Sequence, residues 1–124
     1  MACPFFRPVR EMEWSSGRAP LGGIFEGQCE RQGLADAKLC NFGYARGSCD
    51  VFPESADADA TRFSVAGSAD GIMRVLWVLE KDHAPLEHGV FEFRESSGEF
   101  LETPQGTLGI QARVFAENYL RRRL

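Results

Sequence analysis

The sequence predicts an α+β fold in which a small antiparallel sheet is packed by a C-terminal helix and preceded by an irregular, cysteine-bearing N-terminal lobe that binds a metal. Three observations predict it. Residues 60–95 alternate apolar and polar positions between turn-forming residues, residues 103–123 carry apolar positions at helical spacing, and all four cysteines fall within residues 1–50. A chain of 124 residues with 44% hydrophobic content supports one core, so residues 1–124 read as a single domain. Within it, residues 1–50 form a loop-rich metal-binding lobe and residues 51–124 a core of strands and a helix.

The first stretch, Pro4 to Gln28, is interrupted by Pro4, Pro8, Gly17, Pro20, Gly22, Gly23 and Gly27, which predicts a wrapped loop rather than long regular elements. Its aromatic residues Phe5, Phe6, Trp14 and Phe25 are too many for a disordered tail and are expected to dock the segment on the core. Leu34 to Leu39 contains good helix formers and predicts a short helix running into Cys40. Pro53, followed by Glu54, Asp57 and Asp59, suits either the acidic first turn of another short helix or an acidic loop.

Thr61 to Ala66 reads as a strand, and Ser68-Ala69-Asp70-Gly71 supplies the turn into a second strand, Ile72 to Leu79. Met73, Val75, Trp77 and Leu79 share one face of it. The opposite face is apolar too, apart from Arg74, as suits a central strand. Lys81 to Gly89 is a charged stretch containing Pro85 and predicts a loop; alternation resumes at Val90 to Glu95 with Phe91 and Phe93 facing inward. Thr103 is expected to cap a helix with Pro104 at its first position. Leu108, Ala112, Phe115 and Tyr119 then form the stripe that packs on the sheet.

Cys3, Cys29, Cys40 and Cys49 are expected to converge on one metal centre. Four thiolates satisfy a closed zinc site or the four irons of a [4Fe-4S] cluster. The spacing has no close pair such as C-x₂-C, the usual knuckle around one small zinc ion, and so favours the larger iron–sulfur cluster, with zinc as the alternative. Gly27, Gly43 and Gly47 permit close approach of backbone N–H groups to sulfur, and Phe5, Phe42 and Tyr44 supply aromatic cover. Cys3, close to the terminus, is the ligand most in need of anchoring. The competing readings are a thiol redox pair of Cys40 and Cys49, and buried free thiols that only fill the core.

Other chemistry is sparsely indicated. His83 and His88, with Asp82 and Glu87 beside them, form the best second cluster of proton-transfer or metal-binding groups, yet match no catalytic spacing. No nucleophile elbow, P-loop or dinucleotide fingerprint is present, so no enzyme activity is assigned. Tyr44 and Arg46, between two expected ligands, are candidates for contacting a substrate or partner.

A formal net charge of −4 disfavours nucleic-acid binding. Arg121, Arg122 and Arg123 suit the carbonyl end of a final helix. No apolar run approaches the roughly 20 residues of a membrane span. The N-terminus lacks the pattern of a signal peptide, which predicts a cytoplasmic protein whose cysteines stay reduced or bind metal. The functional expectation is a small iron–sulfur protein for electron transfer or redox sensing, meeting a redox or protein partner; the alternative is a zinc-stapled interaction module.

Overall fold

The computed structural model describes residues 3–11, 25–30, 35–38 and 56–123. Among the described residues, seven strands precede one helix: β1 (Phe6–Glu11), β2 (Phe25–Cys29), β3 (Ala35–Lys38), β4 (Ala60–Ala69), β5 (Ile72–Lys81), β6 (Ala84–Arg94), β7 (Glu99–Phe100) and α1 (Gly106–Arg123). They form two antiparallel sheets, ordered β1-β2-β3 and β4-β5-β6-β7. The α+β class and the C-terminal helix agree with the sequence. The first sheet does not: the described parts of the N-terminal half are strands where an irregular lobe is expected.

Each difference has a local physical reason. Pro8 lacks an amide hydrogen, but β1 is an edge strand and the register shifts between Pro8 and Arg10, so the missing donor is accommodated. Ala35–Lys38 pairs with β2 instead of making the helix expected from Leu34 to Leu39. Helix nucleation is costly in so short a segment, and a ladder offered by a neighbouring strand outweighs modest helix propensity. Of the stretch expected as a short helix or an acidic loop, Pro53 and Glu54 lie outside the described residues, and residues 56–59 are not helical. Among them, Asp59 is buried; its backbone N–H donates to the Glu80 carbonyl at 2.9 Å and its Oδ2 accepts from Asp82 N–H at 3.0 Å.

That second bond helps explain the main change in the larger sheet. The stretch Lys81 to Gly89 is not a loop: Asp82 and His83 alone make the turn, with φ of 52° and 66°, and β6 begins at Ala84. This left-handed pair matches the twist of a two-residue hairpin just as Asp70-Gly71 does between β4 and β5, where φ is 56° and 76°. Pro85 fits because that part of β6 has β5 on one side only and lies beside a register shift at Leu79/Glu80. The central position expected for the Ile72 strand holds, since β5 pairs with β4 and β6 along its length.

The inward face follows the predicted alternation. Val75 lies opposite Phe91 and Met73 opposite Phe93, and with Phe100 they meet Ala112 and Ala116 of the helix. Met73, Val75 and Phe93 are fully buried, each stabilising the fold by about 1.5–3 kcal/mol. Aromatic contacts extend this core: Phe63 stacks on Phe115 at 5.6 Å, and Phe93 meets Phe100 edge-on at 4.9 Å. The helix begins at Gly106, later than the Thr103 cap predicts. Pro104 folds back against Gly109, where a Cβ would come within 2.5 Å of the Pro104 carbonyl oxygen, and the reversal uses the positive φ of Gly106, 69°. No helix among the described residues is long and apolar enough to cross a membrane.

The core and turns give two expected outcomes. Gly89 lies opposite Trp77, and an added Cβ would stand 2.7 Å from the indole, so Gly89→Val should lower stability by about 1–3 kcal/mol in urea denaturation followed by circular dichroism. His83→Gly relieves a left-handed conformation at a side-chain-bearing residue. It should raise stability by about 1 kcal/mol in the same measurement.

Candidate metal centre

The N-terminal sheet is organised around Phe6. This ring is almost fully buried with Phe25 and Cys3, and Phe5 and Val114 pack against the three. Of the aromatic residues expected to dock, Phe5, Phe6 and Phe25 do so, with Val114 of the helix packed against the cluster, while Trp14 lies outside the described residues. Gly27 lets β1 cross β2 closely: a Cβ there would overlap the Arg7 carbonyl oxygen.

Two of the four expected ligands border this cluster. Phe6 and Cys29 are direct cross-strand partners, so their side chains leave the same face of the sheet. Cys3 precedes Phe6 by one tight turn, in which the Phe6 N–H donates to the Cys3 carbonyl at 3.0 Å. Cys3 and Cys29 thus approach Phe6 from its own strand and from the neighbouring one. Cys3 is only 7% exposed, Cys29 is partly exposed, and neither is in a disulfide. Cys40 and Cys49 lie outside the described residues, as do Phe42, Tyr44 and Arg46. Among the described residues, no group of three or more His, Cys, Asp or Glu side chains is arranged to hold a metal ion.

The helix ties both cysteine arms down. Gln111 is buried, and its Nε2 donates to the Cys3 carbonyl at 2.8 Å and to the Phe6 carbonyl at 2.6 Å. The amide orientation follows from chemistry, since two carbonyl oxygens can only be met by the nitrogen. One turn earlier on the same helical face, the Thr107 hydroxyl donates to the Glu30 carboxylate. Glu30 follows Cys29 directly, and its backbone N–H donates to the Phe5 carbonyl at 3.0 Å. Sequence reasoning missed Thr107 and Gln111 because isolated polar residues on a helix give no periodic signal.

His83 is in the β5–β6 turn and His88 lies opposite Val78 on β6, both side chains exposed. Arg121 and Arg122 are exposed at the C-terminal end of α1, where cations complement the unpaired carbonyls. No known protein family, curated protein or solved structure matches the chain.

The unequal exposure of the two cysteines has a direct readout. In reduced, metal-free protein, iodoacetamide should modify Cys29 faster than Cys3, because Cys3 must first undock from Phe6 and Gln111; peptide mass spectrometry over time checks the order.

Proposed function

We propose that this chain is a small metal-binding protein that holds one iron–sulfur cluster, of the [4Fe-4S] type, through Cys3, Cys29, Cys40 and Cys49, in a reducing compartment. The observation that supports it best is the anchoring of Cys3. Cys3 is buried, its carbonyl accepts a hydrogen bond from Gln111 of the C-terminal helix, and it lies at the end of the sheet where Phe6 pairs with Cys29.

The donor set suits the group. Thiolates are the ligands such clusters take, and the apolar surroundings from Phe5, Phe6, Phe25 and Val114 limit water at the Cys3 side. The cluster, when bound, supplies reversible one-electron transfer. The protein's part is to supply thiolates, to keep water from the Cys3 side, and to present the exposed Cys29 side to a redox partner.

Purification without oxygen followed by iron, sulfide and zinc analysis and a visible spectrum tests this reading. About four irons and four sulfides per chain, with absorbance that bleaches on reduction, are expected. About one zinc and no colour makes the same cysteines a structural staple for an interaction module. No bound metal overturns the proposal. Cys29→Ser should abolish most of the iron while leaving the four-stranded sheet folded, as judged by circular dichroism.

A further inference from the structure

Among the described residues, every sheet edge but one carries a guard against pairing with another chain. An unpaired edge is a row of N–H and C=O groups that templates a further strand, and proteins blunt it with proline, charge, bulges or shortness. β1 holds Pro8 among Arg7, Arg10 and Glu11 and is irregular between Pro8 and Arg10. β3 has four residues, two of them Asp36 and Lys38, and β7 has two residues. The part of β6 that extends beyond β7 contains Pro85, Glu87 and His88.

β4 differs. It is ten residues long, lies at the edge of the larger sheet and, among the described residues, pairs with β5 alone. It has no proline and no acid, and its one charged residue, Arg62, donates to Glu80 of the neighbouring strand at 2.6 Å. From Arg62 to Ala69 its residues are exposed or half-buried. The register against β5 is regular through Val65 and shifts only between Val65 and Gly67, so Phe63, Ser64 and Val65 form a regular segment ahead of the bulge. Apolar surface continues to the same rim. Phe63 stacks on Phe115 at 5.6 Å, and Phe115 on Tyr119 at 6.3 Å. These rings and Val65 pack on the core yet stay only partly buried, which leaves the core half open along β4.

We propose that β4 is a dimerisation edge: it pairs antiparallel with β4 of a second copy about a two-fold axis at Ser64, joining the two larger sheets into one. The inference is independent of the metal-binding reading. A two-fold at Ser64 sets Phe63 against Val65 of the partner subunit on either side of the axis, and Arg62 against Ala66 of the partner subunit. Aromatic and β-branched residues favour each other across a ladder, and no like charges stand opposite. Both helices then lie on the same face of the joined sheet, so the half-open rows of Phe63, Phe115 and Tyr119 come together at the seam. This reciprocal fit selects a second copy of the chain. An unrelated strand would find the same backbone groups but no side-chain pockets to recognise it.

Sedimentation equilibrium of the full chain over a range of concentrations, with amide hydrogen exchange at residues 62–66, tests the proposal. Wild type is expected to reach twice the chain mass, with exchange at those residues slowing as concentration rises. Ser64→Lys sets two ammonium groups against each other at the axis, in a position exposed in the single chain. It should raise the dimer dissociation constant about tenfold or more while leaving the circular dichroism unchanged. Protein that stays monomeric at every concentration overturns the proposal. So does a dimer that a folded Ser64→Lys leaves intact, because another surface then makes the contact. Should Ser64→Lys fail to fold, the wild-type exchange decides: protection at residues 62–66 that does not change as the dimer forms overturns the proposal.

Discussion

The packing of α1 between the two sheets is the constraint on which the other features depend. An ordinary amphipathic helix buries one stripe and wets the other. Here Ala112, Phe115, Ala116 and Tyr119 meet the four-stranded sheet, while Gln111 and Val114 meet the Cys3, Phe6 and Phe25 cluster. Small residues at 112 and 116 let the helix backbone approach Met73, Val75 and Phe93 closely. The three-stranded sheet has few apolar residues of its own and gains its interior from this shared helix.

The two helix faces use different chemistry. Against the larger sheet the contact is apolar and aromatic, extended by Arg113, which lies 5.5 Å from the centre of the Phe100 ring and donates to the Gly98 carbonyl at 2.8 Å. Against the N-terminal sheet it depends on directed hydrogen bonds from Gln111 and Thr107. Burial of apolar area is tolerant of small rotations, whereas a hydrogen bond is lost with a modest change of distance or angle. The first contact therefore supplies most of the stability and the second fixes a particular arrangement of the Cys3 turn. That division suits a segment whose own core is small.

The sheets also differ in how their edges and turns are satisfied. In the larger sheet the two left-handed turns at Asp70-Gly71 and Asp82-His83 set the register of three long strands. Arg62 pairs with the buried Glu80 at 2.6 Å, although Arg62 is 51% exposed, so the pair contributes more to keeping Glu80 satisfied than to net stability. In the smaller sheet Arg7 with Glu30 and Arg10 with Glu26 span the strands as exposed pairs. Solvent screens such pairs, which again leaves the helix as the principal anchor.

By itself the sequence determined the α+β class, the Asp70-Gly71 hairpin, the central place of Ile72–Lys81, the inward faces of Phe91 and Phe93 and the C-terminal helix. These depend on local alternation, helical spacing and turn chemistry, which act over a few residues and are written directly in the chain. From ligand chemistry and count it also named Cys3, Cys29, Cys40 and Cys49 as candidate ligands, of which Cys3 and Cys29 are among the described residues. Only the tertiary structure decided that Ala35–Lys38 is a strand, that β6 begins at Ala84, and that Gln111 grips the Cys3 turn across more than one hundred residues of chain. Each of these is set by a partner distant in sequence: a neighbouring ladder, the carboxylate of Asp59, or a pair of backbone carbonyls. Such partners leave no periodic trace around the residue they control, because the energy that selects the conformation arises only when the two segments meet.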